Sequence, residues 1–170
     1  MENTLLLDWE TTGLGNCRGV EVGLKDGKTK PFAVRCKPAI PIELDAMVVH
    51  HITEEEVAHL PLFVDLPEYA SVKKLIESRI VVAHNAPFDI DVCWREGISV
   101  EKYVDTKEIA KILWPDAPKH KLQHLRYWLK LDVSGVAHSA EGDVRVLSAL
   151  WERILKEMPA DELERFVRTV

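Results

Sequence analysis

Two short apolar runs, Thr4–Leu7 and Ile80–Ala83, limit what this chain can fold into more than any other feature. Neither alternates like a half-exposed strand, and neither is long enough for a buried helix, so both read as buried strands. The first ends at Asp8. The second runs straight into a segment where Asn85 can cap a helix and Pro87 falls in its first turn. Val20–Leu24 and Phe32–Cys36, joined around Asp26-Gly27, read as a hairpin, and Tyr103-Val104 as a brief strand. Thr53-Glu54-Glu55-Glu56 is a capping-box pattern that should open a short helix. Helices are also predicted over Glu68–Ser78, from Asn85 to a stop at Gly97, from Asp105 to Pro115, and through Leu122, Leu125 and Leu129. The strongest helix is Ala140–Met158, with an apolar stripe of Val144, Leu147, Leu150, Trp151, Ile154 and Leu155, and Ala160–Val167 adds a last short one. This order predicts an α/β (α+β) layer domain: one mixed sheet of about five strands with helices packed on both faces.

The 170 residues suit a single domain spanning 1–170, and 46% apolar with 29% charged residues is ordinary for a globular chain. The N-terminal stretch has no basic region and too short an apolar run for a signal peptide, and no stretch approaches the roughly 20 residues of a membrane helix. Cys17, Cys36 and Cys93 form neither a disulfide framework nor a zinc spacing, so reduced thiols, a cytoplasmic location and no membrane contact are expected. A net charge of −6 argues against a nucleic-acid partner, yet between Lys107 and Lys130 the chain carries a local +4. A solvated helix face accounts for such a stretch, and so does contact with a phosphate backbone.

The chemistry-bearing residues fall in three clusters. In Asp8-Trp9-Glu10, residues two apart on a strand share a face, and paired carboxylates there repel each other unless a hard cation sits between them. A solvated strand end explains an isolated pair equally. In His84-Asn85-Ala86-Pro87-Phe88-Asp89, Asp89 falls in the first helical turn, where the helix dipole alone favours a carboxylate, and Asp91 points elsewhere, towards solvent. In His138-Ser139-Ala140-Glu141-Gly142-Asp143, five residues turn a helix by about 140°, which places His138 on the loop before the helix and Asp143 in its opening turns. A loop histidine beside a metal cluster can take a proton from water, although a surface histidine near a helix start is the plainer reading.

Together, in this order, Asp-Trp-Glu-Thr-Thr-Gly-Leu (8–14), His-Asn-Ala-Pro-Phe-Asp (84–89) and His-Ser-Ala-Glu-Gly-Asp (138–143) resemble the three exonuclease motifs of the DnaQ-like, DEDDh superfamily. Segments 46–53 and 112–115 are similar to its exodeoxyribonuclease X branch. The resemblance implies a ribonuclease H-like fold and removal of 5′-mononucleotides from the 3′ end of DNA with two divalent ions, Mg²⁺ or Mn²⁺ in its place. It implies Asp8, Glu10, Asp89 and Asp143 as metal ligands and His138 as general base. Thr11 and Thr12 would lie beside the terminal nucleotide and Leu14 would wedge against its base, or all three would serve as turn and core residues, and Phe88 would shape the base pocket or simply pack in the core. His50 and Asn85 would contact phosphate or organise loops. RNA-trimming and polymerase-proofreading relatives use the same five residues, so RNA stands as an alternative substrate, and an inactive nucleic-acid-binding module as a remote one. His51 replaces the usual glycine of a His-Gly-Ile-Thr segment, and Gly15-Asn16-Cys17-Arg18 departs from the pattern after the first motif. Ala160–Val170 reads either as a homodimer element or as a plain terminus.

Overall fold

The structure, a computed structural model, describes residues 3–133 and 139–170. The element order is β1 (Thr4–Thr11), β2 (Gly19–Asp26), β3 (Phe32–Arg35), α1 (Leu44–His50), α2 (Glu54–Val57), α3 (Tyr69–Glu77), β4 (Ile80–Ala83), α4 (Ala86–Arg95), β5 (Lys102–Asp105), α5 (Thr106–Leu113), α6 (Leu122–Trp128), α7 (Ala140–Glu157), α8 (Ala160–Glu164) and β6 (Arg168–Thr169). The strands form one six-stranded sheet in the order β3-β2-β1-β4-β5-β6. Strands β1, β4 and β5 run parallel, and β2, β3 and β6 join antiparallel. The apolar runs of β1 and β4 pair at Thr4–Ile80, Leu5–Val81 and Leu6–Val82, in the middle of the sheet.

Both faces of that sheet are covered, and strand alternation decides which side chain meets which layer. Leu5, Leu7 and Trp9 join Val72 and Ile76 of α3 and Val92 and Cys93 of α4 in one core. Leu6, Val82 and Val104 join Ile109, Leu125, Leu147, Leu150 and Ile154 of the opposite layer. The α7 stripe is buried as expected except Leu155, which at 39% exposure sits at its edge. Asp8 and Glu10, in phase with Leu6, therefore face the layer that contains α7.

Three expectations are corrected. Strand β1 does not stop at Asp8 but continues to Thr11, because β2 pairs with it from Leu5 to Thr11. The mixed sheet forms as expected, with a sixth short strand where a longer last helix was expected: helix α8 ends at Glu164, and Arg168–Thr169 pair with Tyr103 and Lys102 along the edge that β5 would otherwise leave open. Asn85 is not a side-chain cap. It adopts a left-handed conformation with φ 79°, its N–H donates to Asp105 Oδ1 at 2.9 Å, and its Oδ1 accepts from Lys107 Nζ at 3.0 Å. An N-cap side chain reaches back to the helix from extended backbone, which Asn85 lacks. The capping box at Thr53 and Glu56 forms as predicted.

One close approach organises the α7 layer. Gly23 of β2 lies under the start of α7, where a Cβ would sit 2.1 Å from the Ala140 carbonyl oxygen and 2.9 Å from Val144 Cγ2. The obstruction is backbone, so it cannot rotate away. Gly23→Ala should cost about 1–3 kcal/mol by overpacking, read as a lower urea midpoint at unchanged slope. At the end of α1, His51 takes the left-handed conformation at φ 60° and its N–H closes the helix onto Met47 O at 2.8 Å. That is a glycine conformation, so His51→Gly should stabilise the fold by about 1 kcal/mol in the same measurement.

Candidate active site

The acids converge where β1, α4 and α7 meet. Within β1, Asp8 and Glu10 point to the α7 side, and Asp143 stands in the first turn of α7, whose start is capped by the Ser139 side chain accepting from Gly142 N at 3.2 Å. Ligand oxygens of Asp8, Glu10 and Asp143 all lie within 4.8 Å of one another. Asp89 arrives from the first turn of α4 and is buried. Beyond Leu6, β4 no longer pairs with β1, and Asp89 Oδ1 accepts the Trp9 N–H at 3.0 Å in its place. The structure thus brings together three of the predicted ligands and seats the fourth against the backbone between two of them. His138 lies outside the described residues.

This arrangement is costly without a counter-charge. Burial, followed by the charges of Asp89, Glu10, Asp143 and Glu21, holds the Asp8 carboxyl well above the usual range. Burial and then Asp143 and Glu21 push Glu10 up to about 8. Burial raises Asp89 to about 8 against the opposing hydrogen bond from Trp9. Every donor in the cluster is a carboxylate oxygen, the set that suits a hard divalent cation such as Mg²⁺ or Mn²⁺ and not a thiolate-seeking metal. Cys36 and Cys93 are buried thiols pushed up to about 12, with Cys93 Sγ accepting from Trp9 Nε1 at 3.2 Å, and so remain protonated.

The surrounding contacts include residues that sequence reasoning did not single out. Glu21, opposite Glu10 in the β1–β2 register, accepts from Arg35 Nε at 2.9 Å and from Ala140 N at 3.1 Å, tying the start of α7 to the sheet. The register of the strand pair was the signal that could have found it. Gln123 of α6 donates to Asp143 Oδ1, and nothing in the linear sequence announces that contact. Asp105 Oδ1 holds both Asn85 N and Lys107 N, pinning the turn before Asp89.

The remaining predicted residues separate into used and open groups. Thr12 is spent inside: its N–H donates to Arg18 O at 2.9 Å, its carbonyl accepts from Glu43 N at 2.8 Å, and its hydroxyl accepts from Arg18 N at 3.0 Å. Thr11 is buried, its hydroxyl donating to Gly13 O at 2.8 Å. His50 uses both ring nitrogens, Nε2 donating to Thr11 O at 3.1 Å and Nδ1 accepting from Ile52 N at 3.0 Å. Burial lowers its pKa, so it organises this loop as a neutral ring. Phe88 is half-buried against the α3–α4 core. Leu14 is 81% exposed on a loop strapped to the end of α4, where Arg95 donates to Cys17 O at 3.0 Å and Arg18 grips Glu96 at 2.8 and 3.0 Å. His84 donates to His120 O at 2.8 Å, and burial lowers its imidazole to about 4, leaving it neutral at physiological pH.

The exonuclease family model matches residues 5–151. DNA polymerase III subunit epsilon of Treponema pallidum (strain Nichols) is 30% identical over 163 residues, covering 87% of this chain and 74% of the relative. Exodeoxyribonuclease 10 of Escherichia coli (strain K12) is 35% identical over 114 residues, covering 65% of this chain and about half, 48%, of its own length. Among solved structures, exonuclease X in complex with 5′ overhanging duplex DNA superposes with a TM-score of 0.76 at 29% identity, covering 96% of this chain and 98% of that one. A product-bound exonuclease I shares the fold at 18% identity and a TM-score of 0.74, over 97% of this chain and 46% of that one.

The raised carboxyls set a pH-dependent expectation. Glu10 folded titrates near 8 against an ordinary 4.5, so its contribution to stability is present below pH 4.5 and is lost as pH rises through 8. Millimolar Mg²⁺ should raise the melting temperature at pH 8 and do so much less at pH 5, where protons compete for the same oxygens. Glu10→Gln should raise the metal-free melting temperature at pH 8 by roughly 2–4 °C, equivalent to about 1 kcal/mol, and shrink the Mg²⁺ increment. Differential scanning calorimetry with and without chelator measures both.

Proposed function

The chain belongs to the exonuclease family, and we propose that it removes 5′-mononucleotides from the 3′ end of DNA, as one domain over residues 1–170. The observation that carries the proposal is the convergence of Asp8, Glu10 and Asp143 within 4.8 Å at the strand–helix junction, with Asp89 alongside. The DNA named with exonuclease X and exodeoxyribonuclease 10 supports the choice of substrate.

In this reading Asp8, Glu10, Asp89 and Asp143 hold two divalent cations, Mg²⁺ with Mn²⁺ as a substitute. Such ions, when bound, polarise phosphoryl oxygens and make water a nucleophile at neutral pH. The chain's own residues do the rest. Trp9 N–H fixes one oxygen of Asp89, and Gln123 steadies Asp143. Leu14, presented by the loop that Arg95 and Glu96 strap down, stacks against the terminal base. His138 takes the proton of the attacking water. The layers over both sheet faces keep the acids in a partly dry setting where charge interactions are strong.

The relatedness to DNA polymerase III subunit epsilon supports a second reading, a proofreading subunit. A panel of 5′-labelled single-stranded DNA, 5′-overhanging duplex and RNA, with Mg²⁺ and with chelator, tests the first. A metal-dependent 3′-to-5′ ladder stronger on DNA than on RNA is expected. Asp8→Ala and His138→Ala should each lower the rate by about two orders of magnitude or more. Internal cuts, or an Asp8→Ala variant as active as the parent, would contradict the proposal. Faster removal of a mispaired than of a paired 3′ nucleotide, together with co-elution with a polymerase, would favour proofreading.

A further inference from the structure

We propose that Tyr127, on the exposed side of α6, is a stacking platform for a base of the substrate strand as that strand runs towards the acidic cluster. This rests on the exonuclease reading above and adds the path of the strand.

Helix α6 is anchored by its leucines: Leu125 is fully buried, and Leu122 and Leu129 pack against the same core. Tyr127, by contrast, is 72% exposed, whereas Tyr69 and Tyr103 both pack against the core of the other layer. Its position is the informative part. Gln123 and Tyr127 are four residues apart on a helix, so they lie on the same side, about 5–6 Å apart at their Cβ atoms. Gln123 donates to Asp143 Oδ1. The Tyr127 ring therefore stands one helical turn from a residue that touches the acidic cluster.

The ring is also flanked by a fixed cation. Arg126 Cζ lies 5.4 Å from the ring centroid, and the guanidinium is held by Val133 O at 2.7 Å and by Gln123 Oε1 at 3.4 Å. His124 of the same helix is exposed, as are Lys119 and Lys121 just before it and Lys130 just after it. The helix at the end of the positive stretch of an otherwise acidic chain thus reaches the acidic cluster through Gln123. A solvated helix face accounts for the lysines but not for an exposed aromatic held beside an arginine in their midst. A polyanion with planar bases matches both features: phosphates meet the cations, and a base meets the ring.

The test uses the full chain with Tyr127→Ala, Tyr127→Phe and Tyr127→Trp. Binding of a 5′-fluorescein 15-mer single strand is followed by anisotropy in chelator at low salt, and kcat/KM in Mg²⁺ is compared between that 15-mer and a dinucleotide. Tyr127→Ala should weaken binding about tenfold, the worth of one stacked base. It should lower the ratio of 15-mer to dinucleotide kcat/KM by a similar factor, and the Phe and Trp variants should restore both. The platform is overturned if Tyr127→Ala binds like the parent, if Phe and Trp fail to rescue, or if both substrates slow equally. A parent protein that neither binds nor trims any oligonucleotide overturns the exonuclease reading and the platform together. A parent that trims normally beside an unaffected Tyr127→Ala removes the platform alone.

Discussion

The close seating of α7 on β2 is the constraint on which the site depends. The Ala140 carbonyl occupies space that any side chain at residue 23 would fill. Gly23 pairs with Asp8 across the strand pair, so the bare patch that admits the helix lies next to the first acid of the cluster. Glu21, one strand repeat away and paired with Glu10, takes the Ala140 N–H and holds the helix start in that patch. Asp143 follows in the first turn and meets the carboxylates of β1. A side chain at residue 23 would move helix and acid together, because cores transmit displacement rather than absorb it.

That seating has an electrostatic consequence. Asp8, Glu10 and Asp89 lie close to one another and to further acids, and burial with that crowding raises all three carboxyls. The apolar layers on both faces of the sheet, with Leu5, Leu7, Leu24, Leu147 and Ile154 fully buried, supply the stability that tolerates it. Under the proposed function, stability and catalysis make opposite demands at this junction. A divalent cation held by these oxygens would supply a counter-charge and so reconcile them.

Around the acids, many polar contacts serve position rather than chemistry. Asp105 pins the turn before Asp89, Arg95 and the Arg18–Glu96 pair strap the loop that displays Leu14, and His50 braces Thr11 through a neutral ring. The negative charge of the whole chain, which at first argues against a nucleic-acid partner, is concentrated in part where cations belong. The positive stretch on α5, α6 and the segment between them borders the same centre through Lys107 at Asn85 and Gln123 at Asp143.

What could be read from the sequence follows from the range of the interactions involved. Period-two alternation put Asp8 and Glu10 on one face, a capping box announced the helix at Thr53, and apolar spacing marked α7, because each depends on neighbours within a few residues. The order of the three motifs identified the family and so named the acids. Asn85 is not the cap its residue type suggests, because it sits in a left-handed turn whose N–H is taken by Asp105, twenty positions on. The strand at Arg168–Thr169 is not legible in the sequence because an open sheet edge, not local propensity, creates it. The sequence by itself therefore determined which carboxylates this protein has and which faces they share within each element. Only the tertiary structure decided that Asp143 meets Asp8 and Glu10, since their distance depends on a glycine, a glutamate and a helix start far apart in the chain that fit together only when the sheet has formed.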